Sequence, residues 1–226
     1  MGALKIVGVF ILSVALLSAA MFVISRPPQE GEGVEGEKNA LPAWSPGNQW
    51  SYKSSAGTTY SYTMTQEENW GGVLSYRLDG TVNPPFGGWG PNVRRLYEKA
   101  TLGLRTEIFY DRTQSQTTQY TRSYSTSPWP LEVGKSYTED VTIERSYVQG
   151  PEGWSGPVSY QTLYVTIEAV ESVTVEAGTF ESYKLVARSA DNNLVEARWY
   201  SGTAKNFVKI ENQQTGETLE LSSYQI

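Results

Sequence analysis

The chain has no cysteine and no histidine among its 226 residues. Together these absences exclude more chemistry than any other feature of the sequence. Without thiolate or imidazole there is no Cys-His or Ser-His-Asp nucleophilic site, and no zinc, copper, haem or iron–sulfur centre held by those ligands. No disulfide can staple the fold, so its stability has to come from apolar burial, and the sequence carries no mark of its redox compartment. No Gly-rich phosphate loop separates a strand from a helix, no acidic run has calcium-loop spacing, and no Asn-x-Ser/Thr sequon occurs. The net charge is −6 and Arg94-Arg95 is the sole basic doublet, so nucleic acid is not an expected partner. No metal or cofactor is expected either.

What is present is aromatic and turn-forming. Fifteen Tyr and seven Trp stand against three Met, with abundant Thr and Ser, a composition that favours strands. The 21 Gly and 11 Pro fit many turns. The clearest local signal is Val173 to Arg188, where Val173 and Val175 alternate with Thr174 and Glu176. After a break at Ala177-Gly178-Thr179, the apolar side is taken up by Phe180, Tyr183, Leu185 and Ala187. This reads as a hairpin, with Gly178 supplying the backbone conformation that other residues resist.

Three regions follow from the charge and hydropathy pattern. Residues 1–26 contain Ile6 to Ile24, a 19-residue run without a charge that is long enough to span a bilayer as a helix. Lys5 before it, and the longer acidic chain after it, predict a cytoplasmic N-terminus and a C-terminal domain outside the cytoplasm. A retained single-pass anchor is the favoured reading because the apolar run continues through Met21 to Ile24, beyond the small residues Ser18-Ala19-Ala20. The alternative is a signal peptide cleaved near Ala20, giving a secreted domain. Residues 27–40 form an acidic Gly/Glu linker, with Glu30, Glu32, Glu35 and Glu37 repelling one another. Residues 41–226 make one domain of ordinary size.

Within that domain, period-two runs at Trp50–Tyr52, Tyr60–Met64 and Leu74–Leu78 predict strands, with Asp79-Gly80 read as a turn. Val93 to Leu102 supports two readings. Val93, Leu96, Tyr97 and Ala100 match a helix face, whereas alternation favours a strand, a turn near Ala100-Thr101 and a second strand. Thr, Gln and Tyr dominate from Ile108 to Thr126, predicting a strand pair exposed on one or both faces. Further strands are expected at Val141–Val148, Tyr160–Val170, Leu194–Tyr200, Phe207–Asn212 and Glu217–Ile226. Ten to twelve strands on short connections predict an all-β antiparallel meander, closing as a curved sheet or incomplete barrel and preceded by the N-terminal helix.

Candidate functional residues come from three Gly/Pro-flanked segments carrying Phe86 and Trp89, Trp129, and Trp154. If they converge at one end of the sheet, their rings could stack on sugars, take up a lipid or dock on a protein; the competing expectation is that each folds back as a plug. Carboxylates are the only general acids and bases available. Asp79, Asp111, Asp140 and Asp191 sit in turn-like contexts, and Glu67-Glu68, Glu139-Asp140 and Glu168 with Glu171 are the closest acidic pairs. None has a recognisable catalytic spacing, and no enzyme is expected. Lys184, Arg188 and Arg198 are read as cross-strand partners of Glu171, Glu181 or Glu196 that set register.

The Val173–Arg188 hairpin with its A-G-T-F-x-x-Y-K core resembles the hallmark of a group of secreted or envelope-anchored all-β domains of bacteria and archaea, distantly similar to the periplasmic lipoprotein-carrier fold. Further segments match that pattern: Pro46 to Tyr52, Tyr97 to Glu107, Pro130 to Tyr137, Arg198-Trp199-Tyr200 with Val208-Lys209, and Glu220 to Tyr224. The resemblance implies an envelope location and a half-barrel able to hold a lipid or other apolar ligand. Anchor, tether and missing catalytic constellation together predict a non-catalytic binding or structural domain, an accessory subunit or surface protein contacting another envelope component. A carrier or sensor of an apolar ligand, and a carbohydrate-binding module using the Trp segments, are the alternatives.

Overall fold

A computed structural model describes residues 38–85, 91–110, 114–149 and 152–226. The predicted N-terminal helix and most of the acidic linker lie outside the described residues. No helix among those described is long and apolar enough to cross a membrane.

Thirteen strands are described: β1 (Gln49–Ser54), β2 (Thr59–Trp70), β3 (Val73–Asn83), β4 (Asn92–Glu98), β5 (Leu104–Tyr110), β6 (Gln114–Tyr124), β7 (Ser136–Gln149), β8 (Glu152–Ser155), β9 (Ser159–Val175), β10 (Gly178–Arg188), β11 (Leu194–Ser201), β12 (Asn206–Asn212) and β13 (Thr218–Gln225). Each pairs antiparallel with the next except β8, which folds back on β7 alone, so that β7 pairs onward with β9. β13 then returns to β1, from Gln49 opposite Gln225 to Ser54 opposite Leu219. Twelve strands therefore close a barrel, which corrects the curved sheet or incomplete barrel expected from sequence. The physical reason is the edge: an open meander would leave the β1 and β13 ladders unpaired, and closure lets each satisfy the other.

Residue alternation puts every second side chain inside. Trp50 and Tyr52 of β1, Tyr60, Tyr62 and Met64 of β2, Leu163, Val165 and Ile167 of β9, and Leu219 and Leu221 of β13 are all buried. Val93 to Leu102 resolves as strand β4 and a turn leading to β5 at Leu104, with Leu102 taking a φ of 58°. Arg95 pairs with Leu78 and Glu107, whereas its neighbour Arg94 pairs with Asp79 and Ile108, so the two arginines lie on opposite faces. The apolar strand expected at Tyr160–Val170 and the first arm of the organising hairpin are one 17-residue strand, β9. Gly178 opens β10 with a φ of 134°, in keeping with its predicted role.

Three local readings change. Trp154 belongs to strand β8 opposite Tyr147, not to a loop. Asp140 lies within β7 and accepts a hydrogen bond from the Thr162 hydroxyl at 2.6 Å. Asp79-Gly80 is no turn, because β3 runs through it. Gly80 faces Tyr62 across the ladder, and a Cβ built on it would stand 2.0 Å from the Ser61 carbonyl oxygen. Turn chemistry at Asp-Gly thus loses to close approach of two backbones. On the outer face, Asp79 accepts from Arg77 at 2.7 Å and from Arg94 at 2.9 Å, tying β3 to β4.

Two outcomes follow. Gly80→Ala has to displace backbone and should cost at least about 2 kcal/mol, read as a lowered urea midpoint. Burial raises the Asp79 carboxyl, but hydrogen bonds from Arg77, Arg94 and Thr65 outweigh it and hold the group below its ordinary value of 3.8. Its contribution is therefore complete above that value and fades as pH falls through the lowered one. Asp79→Asn should be less stable than the parent at neutral pH, with the two stabilities converging below pH 3.8.

Candidate functional site

In an antiparallel meander, connections alternate between the two ends of the barrel. The segment before β1 therefore shares an end with the β4–β5, β6–β7 and β11–β12 connections. Residues 38–48 form a strap across that end. The Asn39 carbonyl accepts from the Leu131 amide at 2.8 Å, and the Trp44 indole donates to the Lys205 carbonyl at 2.8 Å. Trp50 donates to the neighbouring Ala204 carbonyl at 2.7 Å. The Trp44 ring packs 5.0 Å from Trp50, 5.4 Å from Tyr76 and 5.3 Å from Tyr97. Trp129 crosses the same region, its indole donating to the Thr101 carbonyl at 3.0 Å and its ring meeting Tyr200 edge-on at 5.0 Å.

These groups enclose a cavity of about 100 Å³. Its wall is aromatic and aliphatic, with Tyr97, Tyr124, Trp129, Phe207, Leu104 and Ile210 among the residues that line it. Four charged side chains interrupt it: Arg95, Glu139, Glu196 and Arg198. They fall into two sets that differ in access.

Arg95 is sealed. Its Nε donates to Glu107 Oε1 at 2.6 Å, Nη2 donates to the same oxygen, and Nη1 donates to the Tyr97 hydroxyl at 3.1 Å. Its guanidinium also lies 4.9 Å from the Tyr62 ring centroid. Side-chain exposure is 3% for Arg95 and 0% for Glu107, so this pair is buried on all sides. Burial disfavours the Arg95 charge, but Glu107 and the surrounding tyrosines more than restore it. Burial pushes the Glu107 carboxyl up and the Tyr52 and Tyr62 phenols well up, which keeps both phenols protonated. Glu107 Oε2 and the Tyr62 hydroxyl have no hydrogen-bond partner among the described residues.

Arg198 is more open. It lies 3.2 Å from Glu139 Oε2 through Nη2 and 3.1 Å from Glu196 Oε1 through Nε. The second contact is an ion pair whose angle falls short of a hydrogen bond, leaving the Nε–H without an acceptor. Arg198 and Glu196 each keep 12% side-chain exposure, whereas Glu139 keeps 1%. Burial opposes the Arg198 charge, and Glu196 followed by Glu139 overrides it, so the guanidinium stays charged. A donor and an acceptor thus stand side by side on an otherwise apolar wall. Arg198 compensates both carboxylates of that wall, a design suited to binding rather than proton transfer.

Of the four residues singled out from sequence, Trp129 is half-buried and belongs to this wall. Phe86 and Trp89 lie outside the described residues, in a connection whose flanking strand ends are at the opposite end of the barrel. Trp154, on β8, belongs to the β7–β9 connection, also at the opposite end. The charged groups were not singled out as a site. Their signal was parity: Arg95 alternates with Val93 and Tyr97, Glu139 with Tyr137 and Val141, and Arg198 with Glu196 and Tyr200. Reading charge as exposure hid them, and the pairing of Arg198 with Glu196 had been assigned to register alone.

No family model and no curated relative matches the chain. Two solved structures align with most of it. A protein from Parabacteroides distasonis, provisionally described as a lipoprotein, is 13% identical, with 83% of this chain and 99% of that one covered and a TM-score of 0.38. A protein from Bacteroides fragilis, provisionally described as exported and as having a YmcC-like fold, is 10% identical, with 84% and 100% covered and a TM-score of 0.40. Likeness this loose bears on neither the site nor its chemistry.

The sealed pair is open to a direct test. Arg95→Met should destabilise the barrel by about 3–5 kcal/mol by leaving Glu107 buried and uncompensated. Arg95→Met with Glu107→Leu should recover most of that loss, and a double-mutant cycle by urea unfolding measures the difference.

Proposed function

We propose that this chain is a membrane-anchored, extracytoplasmic, non-catalytic binding domain whose barrel holds a small ligand. The observation that carries the reading is the cavity: aromatic and aliphatic over most of its wall, with one partly accessible Arg198–Glu196 pair to orient what enters. The anchor rests on the uncharged run Ile6 to Ile24 and the acidic tether after it. Size narrows the carrier or sensor alternative. At about 100 Å³ the cavity falls below the roughly 300–1,000 Å³ of sites that enclose drug-sized ligands, so a membrane lipid does not fit and a small molecule does. A sensor is the better match than a lipid carrier.

A second reading, an accessory subunit docked on an envelope protein, is favoured by the outer face of β9. Tyr160, Tyr164 and Val170 share that face, with 78%, 49% and 41% exposure. Intact mass of the chain purified in detergent from its native membrane, with co-purifying molecules identified after denaturation, separates the two. The expected result is a full-length chain releasing a small molecule in stoichiometric amount. A stoichiometric protein partner and no released ligand would transfer the assignment to the second reading. A chain beginning at Met21 would remove the anchor and leave the cavity assignment standing.

A further inference from the structure

Resting on that cavity assignment, we propose that the ligand class is an uncharged single-ring aromatic molecule bearing a hydroxyl, seated with its oxygen between Arg198 and Glu196. Three observations converge on it. The first is size. An engineered protein cavity of about 150 Å³ accommodates benzene, and this one is somewhat smaller at about 100 Å³, which admits one ring and little more. The second is the wall. Tyr124 meets Tyr137 edge-on at 5.9 Å, Trp129 meets Tyr200 at 5.0 Å, and Tyr200 meets Phe207 at 5.9 Å, so a flat ring would join rings already in edge-to-face order.

Charge balance is the third observation, and it selects the polar group. The two arginines and two glutamates of the wall cancel, and each arginine already has its counter-ion. A carboxylate or an ammonium brought into this space would give up its hydration and find no uncompensated partner. A hydroxyl does better, because it donates and accepts through one atom. It can give its hydrogen to the Glu196 carboxylate and accept from the Arg198 Nε–H, which has no hydrogen-bond acceptor of its own. Discrimination against an analogue lacking the donor follows, since that analogue leaves the polar pair unsatisfied in a buried site.

Calorimetric titration of the full chain in detergent, with micelle blanks, tests this using phenol, anisole, benzoate and benzylamine. Phenol should bind saturably, and the other three at least about tenfold more weakly. Glu196→Gln keeps a carbonyl acceptor while leaving the wall with one net positive charge. It should therefore shift preference toward benzoate by about tenfold or more, a reversal that a merely structural role for Glu196 would not produce. Anisole or benzoate binding the parent chain as tightly as phenol overturns the inference, as does an unchanged order in Glu196→Gln. Intermolecular nuclear Overhauser contacts from phenol to Phe207 and Trp129 provide a readout that needs no variant, and their absence is equally fatal. Phenol failing while a co-purified molecule of another class occupies the barrel defeats only this inference. The absence of any saturable ligand defeats the cavity assignment as well.

Discussion

The barrel depends on one ladder, the antiparallel pairing of β1 with β13. Every other strand pair joins consecutive parts of the meander or spans the short β8 flap, and would form in an open sheet as readily as in a closed one. Closure alone brings together side chains that the sequence separates by more than a hundred residues, such as Trp50 with Ala204 and Tyr52 with Phe207. It also turns one face of the sheet into an interior. Once that interior exists, each inward position must be apolar, paired or hydrogen-bonded, and the chain meets this requirement unevenly.

The unevenness is informative. One side of the lumen is packed solid by Trp50, Tyr60, Met64, Leu78 and Val93, all nearly inaccessible. Buried Arg95 and Glu107 sit against that side and are matched to each other. Such a pair is weak evidence for stability, since apolar residues of similar volume commonly serve as well, but it fixes β4 against β5 in a single register. The other side retains free space, and there Arg198 holds two carboxylates at once. A structural pair needs no such opening, and a cavity needs no such pair. Their coincidence makes this side of the lumen the place to look for a ligand.

Much of this was legible from residue order. Period-two alternation located the strands, and Val173 to Arg188 formed the predicted hairpin because both of its arms present an apolar face to the same interior. Closure was not legible, since nothing local distinguishes a strand paired on both sides from one at an edge. Asp79-Gly80 misled for a related reason: the dipeptide favours turns, but here a backbone approaching from β2 requires glycine inside a strand. The cavity groups escaped because Arg95, Glu139 and Arg198 are charged, and charge was taken as a marker of the outer face. Alternation with Val93, Tyr137 and Tyr200 would have placed all three inside. Their burial could not be assigned until their partners, lying 12 and 59 residues away, were known.

The strap has a mechanical consequence. Residues 38–48 lead directly into β1 and cover the cavity with Trp44, held by the Trp44 indole bond to Lys205 and the Leu131 amide bond to Asn39. Tension applied through the residues that precede Lys38 would reach these few contacts before it reached the ladder of β1. They would give way one at a time, as a peel, whereas the paired strands on both sides of β1 would resist together in shear. The barrel thus carries its weakest mechanical element at the point where its cavity is covered, and a modest pull could uncover the lumen while leaving the ring of strands intact.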